Sequence, residues 1–412
     1  MKSRKGSIRR SLYYSIFDGL FTAMMLGISE TYLVAYGVAL GATNAQIAVL
    51  ATVPMLIATS LQVYSARMAA SIGSRMQLIS RVVLLHTLTW IPIILVPYVV
   101  PIAYAPWALF AAAVVYMSFG QFAVPAWQSV MSDYIPVKKL GRYFGWRNRL
   151  QGILTVGVSI GAGLILAAFG KRNLAGFTAI FVFAMLCRFN AWLCLRRMDE
   201  PFRHGSHDVY FSFGAFLREL RETPVGRFVL FVTLMMFAVN LSAPFLQPFI
   251  LRDMGFGYAP FMAVVTSASI AGFLFQGWWG AYGDLTGNVR MLKAAGWGIA
   301  VVPLLWIVSR DLTWLLGVQF IAGCFWGGFT LLTVNFMLET VPPERRIRAL
   351  AYFNAMSAAA VVLGSATGAM LLHRLPPLFG HSFLALILLS CFCRVVVMMT
   401  AARAVRQTRG VA

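Results

Sequence analysis

The 412-residue chain is poor in charge and poorer still in acid: charged residues make up 11% of it, with 13 Asp and Glu against 34 Lys and Arg. A soluble domain carries about 25% charged residues, so a water-compatible globular surface is excluded. Cysteines are few: Cys187, Cys194, Cys324, Cys391 and Cys393 all fall within apolar stretches and show no metal-ligand spacing. They read as packing thiols, and no metal or other cofactor is expected. The scattered acids offer no nucleophile–base or acid-cluster spacing, which argues against an enzyme. No G-x-x-x-x-G-K-[ST] occurs, so ATP does not drive this chain directly. A cleaved leader is not expected either. The apolar segment behind the basic start is too long for one, holds Asp18 and Glu30, and lacks an A-x-A site.

What is present is apolar. Hydrophobic residues make up 60% of the chain and the mean hydropathy is +0.77. Hydrocarbon accepts only backbones that satisfy their own hydrogen bonds. The long apolar runs do not alternate with period two, so helices are expected rather than a barrel. Twelve spans can be placed, near 14–40, 45–68, 76–100, 104–132, 147–169, 174–196, 224–251, 258–283, 289–309, 312–341, 347–372 and 378–402. The longest polar stretch, 197–223, reads as a linker between an N-terminal bundle (1–196) and a C-terminal bundle (224–412). Within it, Phe211 to Arg221 reads as a short amphipathic helix.

The net charge of +21 does not indicate nucleic acid, because the cations lie in short patches between spans. On this assignment they gather on one side, except Lys171, Arg172, Arg252, Arg310 and Arg374 opposite and Arg188 and Arg394 within spans. The positive-inside rule then puts both termini in the cytoplasm.

The chain also repeats itself. Asp133, Pro136, Arg142 and Asn148 recur 206 positions on as Glu339, Pro342, Arg348 and Asn354, and Cys187-Arg188 as Cys393-Arg394. An offset of 214 maps Gln62 onto Gln276 and Gly73 onto Gly287. Two copies of a six-helix unit running in the same direction are implied, as in transporters whose halves move about a central site.

After the eighth span the chain reads Gly280-Ala-Tyr-Gly283-Asp284-Leu-Thr-Gly287-Asn-Val-Arg290. Here it resembles the major facilitator superfamily, whose signature is G-x-x-x-D-x-x-G followed by basic residues after the second and eighth spans. The first copy keeps Gly73 and Arg75 but has Ala69 and Ala70 in place of the acid. Glu30-Thr31-Tyr32, Gly41-Ala42-Thr43 and Gly141-Arg142-Tyr143-Phe144-Gly145 further resemble a bacterial branch without assigned substrates. The resemblance implies an all-α integral membrane fold of 12 helices in two parallel six-helix repeats. It also implies a cytoplasmic gate of Asp133, Arg142, Gly280, Asp284, Gly287, Arg290, Glu339 and Arg348. The alternative is that these are ordinary solvated loop charges. The missing first acid makes any latch lopsided, with the second half carrying most of the closure. Drug exporters of the family carry Gly-Pro in the fifth span; here Gly161 precedes Ala162.

Ionisable groups inside spans are few and therefore informative. Glu30, about sixteen residues or roughly 24 Å along the first span, is a proton-coupling group or else a structural acid. Arg188 and Arg394 either snorkel or form an anion-attracting pair. Asp18 and His86 read as structural. In this family spans one, four, seven and ten line the cavity, which points to Glu30, Tyr32 or Tyr36, Gln121, Gln128, Asn240, Trp326 and Thr330. Gln121, Pro125 and Gln128 share one helical face, as do Asn240, Pro244 and Gln247; the amides either line the cavity or bond between helices. The G-x-x-x-G pairs Gly157/Gly161 and Gly364/Gly368 are expected to pack helices closely.

The expected function is secondary active transport of a small solute by alternating access, coupled to protons, by a monomer in the bacterial cytoplasmic membrane. The rival is a receptor or assembly factor on a transporter-like fold.

Overall fold

Runs of Leu, Phe, Ala and Val unbroken by polar residues wind into helices, because only the helix satisfies every backbone group within the segment. A computed structural model describes residues 2–169, 174–200, 211–256, 258–372 and 374–405. The side chains of residues 2–5, 29–31, 44, 45, 48, 51, 52, 251, 252, 258 and 259 lie outside this description. Among the described residues the regular structure is helical, apart from an isolated bridge between Leu378 and His381. Eleven of the described helical stretches, from Gly6–Ala39 to Ser382–Ala404, are long and apolar enough to cross a membrane. The expected second span falls on the shorter helix Asn44–Leu61, which is not among the eleven.

Proline sets the breaks. The fourth span divides at Ala123 into Ala105–Phe122 and Val124–Tyr134, since Pro125 supplies no N–H to the preceding turn. Pro224–Asn240 stops short, and a 3₁₀ turn (Ala243–Phe245) and a π turn (Phe249–Asp253) follow around Pro244 and Pro248. The expected single face of Asn240, Pro244 and Gln247 is therefore not kept. A helix at Phe213–Glu219 occupies the centre of the expected amphipathic segment.

The chain forms two compact units, and each draws on both halves of the sequence. One comprises Met1–Tyr134, Leu150–Val209 and Pro343–Ala351; the other comprises Ile135–Arg149, Tyr210–Pro342 and Tyr352–Ala412. The first is centred on the rings of Tyr36, Trp90, Phe177 and Phe181, all with centroids near one another. The second packs Phe249, Trp306 and Phe383 at one end and stacks Phe228 on Phe336 at 4.1 Å. Such ring pairs contribute about 0.5–1.5 kcal/mol each beyond their buried area.

Close helix approach comes only partly from the expected glycines. A β-carbon at Gly368 would overlap the Leu241 carbonyl, and one at Gly364 would lie 2.5 Å from the Phe237 carbonyl oxygen. Gly157 and Gly161 have nothing within 4 Å of that position, so their expected packing role is not observed. Gly27 takes it instead, against the Thr155 carbonyl at 2.5 Å, with Thr155 donating to the Ala23 carbonyl at 3.1 Å.

Candidate functional site

The signature segment is helical where a loop was expected. The helix Tyr258–Thr286 runs through Gly280, Gly283 and Asp284, and the turn comes at Gly287, whose φ of +99° favours glycine. Asp284 sits near the end of this helix and acts on another. Its Oδ1 accepts from the Gly141 N–H at 2.9 Å and its Oδ2 from the Arg142 N–H at 2.7 Å. These are orphan donors in the first turn of helix Leu140–Phe169, so the carboxylate serves as a cap and also meets the positive helix end. Contact this close requires two glycines: a β-carbon on Gly280 would strike the Gly141 carbonyl, and one on Gly141 the Gly280 carbonyl. The Arg142 side chain is exposed, so this residue contributes through its backbone.

The first unit answers its missing acid with a different device. Asp133 receives Arg75 Nη1 at 2.7 Å on Oδ2 and Arg346 Nη1 at 3.0 Å on Oδ1. Arg75 also donates to Ser129 Oγ at 3.0 Å and to Glu200 Oε1 at 3.0 Å, while Arg346 donates to Ser132 Oγ at 2.6 Å. Glu200 in turn accepts from Ser74 Oγ at 2.7 Å and from the Met76 N–H at 2.8 Å, capping the helix Arg75–Leu88. Desolvation pushes the Glu200 carboxyl up, but its bonds to Ser74, the Met76 N–H and Arg75 outweigh that and hold it below the usual glutamate range. Where a lopsided arrangement was expected, the units show two unlike contacts, one acid on a helix start and one acid between two buried arginines.

The other residues expected at a gate lie as follows. Glu339 accepts from Asn288 Nδ2 at 2.8 Å, Gly287 forms the turn, Arg290 is exposed, and Arg348 is buried in the first unit. The arginine on Asp133 is Arg346, two residues from the one the repeat singled out. Position 140 is Leu, so no half-length echo marks Arg346. Glu200, in the polar linker, carried no signal at all.

The residues expected at a central cavity are placed within each unit as follows. Glu30 lies in the first helix, with its side chain outside the described residues. Tyr36 is 1% exposed and donates to the Ile93 carbonyl at 3.3 Å, which makes it part of the core. Tyr32 donates to the Ser159 carbonyl at 2.6 Å. Gln121 accepts from Gln62 Nε2 at 3.1 Å, an interhelical amide bond, and Gln128 is half-buried. Asn240 bonds its own helix at the Met236 carbonyl, and Thr330 bonds the Trp326 carbonyl. Trp326 is half-buried with its ring edge on Phe329.

Arg188 and Arg394 neither snorkel nor stand open. Arg188 is buried, donating through Nε to His86 Nδ1 at 3.0 Å and through Nη1 to Thr22 Oγ1 at 2.9 Å. Arg394 is buried among neutral oxygens: Ser390 Oγ at 2.9 Å, the Ile299 carbonyl at 3.0 Å, Ser242 Oγ at 3.1 Å and the Val239 carbonyl at 3.4 Å. Each ties three helices of its own unit, and each unit repeats the pattern of the other. Among the described residues no group of three or more His, Cys, Asp or Glu could hold a metal ion, and all five cysteines are free.

This combination of apolar helices, duplicated charges and capped helix starts is that of a membrane transporter. The Major Facilitator Superfamily model matches residues 16–258 and 228–410, and the chain belongs to that superfamily of secondary transporters. Among solved structures, it is similar to an outward-facing bacterial homologue of the iron transporter ferroportin, at 13% identity and a TM-score of 0.73, covering 96% of this chain and 98% of that one. It is likewise similar to the fucose:proton symporter of E. coli, at 12% identity, TM-score 0.73 and the same coverage. A third is the proton:xylose symporter bound to 6-bromo-6-deoxy-D-glucose, at 13% identity and TM-score 0.68, covering 99% of this chain and 98% of that one. At these identities the likeness is one of fold. The comparison with curated proteins gives no match.

Proposed function

We propose that this chain is a proton-coupled transporter of a small solute, a monomer working by alternating access in the bacterial cytoplasmic membrane. It would carry twelve spans, with both termini in the cytoplasm and bundles at 1–196 and 224–412 joined by the linker 197–223. The observation that carries the reading is the pair of helix-end fastenings. Asp284 on the Gly141 and Arg142 N–H groups and Arg346 on Asp133 join residues 142 to 213 positions apart. Each joins the first half of the sequence to the second through a few hydrogen bonds, an exchange small enough to be made and broken in a transport cycle. Two of the similar solved structures are proton symporters by name, which supports proton coupling.

Glu30 is the proposed coupling group, since a carboxyl deep in the first span exchanges protons near neutral pH only if desolvated. A neutral, cationic or amphipathic solute is favoured over a polyanion. Burial of Arg188 and Arg394 on partners within their own units supports that preference. The test is flux into liposomes carrying the purified protein under an imposed pH gradient, with solutes chosen by thermal-shift screening. Glu30→Gln is expected to keep binding and lose the pH dependence; full pH dependence in that variant moves the coupling site elsewhere. Absence of flux for every solute that binds would favour a receptor or assembly role.

A further inference from the structure

One end of the first unit holds cations that the contacts at Asp133 leave unused. Helix Lys2–Ala39 begins there and helix Leu174–Leu195 ends there, both in stretches apolar enough to cross a membrane. Past the second of these the chain keeps turning: the Arg196 N–H donates to the Trp192 carbonyl at 3.0 Å and the Arg197 N–H to the Cys194 carbonyl at 3.1 Å. It is then pinned to the first helix. The Asp199 N–H donates to Ser11 Oγ at 3.1 Å, Ser7 Oγ donates to Asp199 Oδ2 at 2.6 Å, and the Tyr134 hydroxyl donates to the Asp199 carbonyl. Arg197 thereby lies over the ring of Tyr14, 5.6 Å from its centroid, and Arg10 of the first helix lies 5.9 Å from the same centroid.

Two guanidiniums on one ring repel each other unless an anion joins them. Both are exposed, and among the described residues neither has a carboxylate or a hydrogen-bond acceptor. The acids that follow, Asp199 and Glu200, are engaged by Ser7 and by Arg75. A guanidinium stacked by its face keeps the N–H groups of its edge free, in the fork that matches phosphate oxygens. Stacking also orders the side chain before an anion arrives, which lowers the cost of binding. Arg10, Tyr13, Tyr14 and Phe17 lie at i, i+3, i+4 and i+7, on one helix face. Tyr13 and Phe17 are 57% and 36% exposed, with ring centroids 4.9 Å apart. Large aromatics open at the end of a span belong at the depth of the lipid headgroups.

We infer that Arg10 and Arg197, stacked on Tyr14, form a headgroup site for an anionic phospholipid, its phosphodiester on the guanidinium edges and its acyl chains against Tyr13 and Phe17. A lipid fits better than a soluble phosphate, because the cations and the open rings share one helix face. The site is separate from Glu30 and from Asp284, and it goes beyond the proton-coupled reading.

The test is thermal unfolding of the purified full-length protein in detergent micelles carrying a rising fraction of dioleoyl phosphatidylglycerol or dioleoyl phosphatidylcholine, with inorganic phosphate in a third series. A saturable rise in melting temperature with phosphatidylglycerol alone is expected. Arg10→Gln and Arg197→Gln should each raise the half-saturating lipid fraction about tenfold or more, through loss of a charge-assisted hydrogen bond. Tyr14→Leu keeps both charges and should raise it about threefold, through loss of the stack. Arg9→Gln removes the same charge from an exposed neighbour that stacks on no ring among the described residues, and should change it less than about twofold. Each variant is read against its own melting temperature without lipid, so a folding defect is not counted as lost binding. An equal rise with phosphatidylcholine overturns the inference, and so does a rise with inorganic phosphate as large as that with lipid. A loss in Arg9→Gln matching those in Arg10→Gln and Arg197→Gln, the result for a diffuse basic surface, overturns it as well.

Discussion

Asp284→Asn removes one full charge and one of two acceptors while leaving volume and helix propensity almost unchanged. The retained amide oxygen can hold either the Gly141 or the Arg142 N–H, which now sit at 2.9 and 2.7 Å from the two carboxylate oxygens. The other N–H then faces an amide donor. Losing a capping acceptor costs about 0.5–2 kcal/mol, and losing the charge at a helix N-terminus about 0.3–1 kcal/mol. Together these amount to about 1–3 kcal/mol, or roughly a 5- to 150-fold shift toward the unlatched state. Hydrogen exchange read by mass spectrometry on the reconstituted protein should show the amides around 141–142 exchanging faster by that factor. Amides in the core helix Leu174–Leu195 should keep their rates. Transport should collapse while membrane insertion stays intact, because a latch that does not hold ceases to bias the cycle. Unchanged exchange at 141–142 would refute the capping argument itself, and unchanged transport alongside faster exchange would refute its assignment as a gate.

Three further outcomes follow from the geometry. Arg75→Ala strips Asp133, Ser129 and Glu200 of a buried partner and should destabilise by about 3–5 kcal/mol; Arg346→Ala leaves Arg75 on Asp133 and should cost clearly less, so equal losses in thermal unfolding would contradict the bridging role. The folded Glu200 carboxyl titrates below its unfolded value, so its contribution is present above the ordinary glutamate range and lost as pH falls through the lowered value. Glu200→Gln should therefore flatten the acid-side fall in melting temperature, and an unaltered slope would place that sensitivity in other groups. Gly368→Leu should cost about 1–3 kcal/mol or block folding through its clash with the Leu241 carbonyl, whereas Gly161→Leu, with nothing within 4 Å, should be tolerated within about 0.5 kcal/mol; a reversal of that order would overturn the packing assignment.

The helical class, the duplication and the special place of Asp284 were legible in the sequence because each rests on a repeated or periodic signal. Hydrophobic runs report the solvent, and paired charges at one offset report a common ancestor unit. Asp284 was identified without its partner, since backbone N–H groups at Gly141 and Arg142 leave no trace in side-chain identity. Arg346 and Glu200 were missed for a related reason: each acts only in one repeat, so symmetry could not point to it. The residues expected at a cavity show another limit of sequence reading. Helical spacing put Gln121 and Tyr36 on plausible faces, but spacing does not say which neighbour a face meets. Tyr36 meets Phe177 and Phe181, and Gln121 meets Gln62.

The exchange of short segments between units has a consequence for dissection. Residues 135–149 belong with the second unit although their helix, Leu140–Phe169, continues into the first, and residues 343–351 belong with the first although their helix continues into the second. A split at the linker would give each fragment a helix start whose cap or counter-ion lies on the other fragment. Neither piece would then be a finished folding unit. Two fragments made separately should regain their structure only on mixing, which makes this chain suited to reassembly as a two-part reporter whose signal depends on these contacts forming.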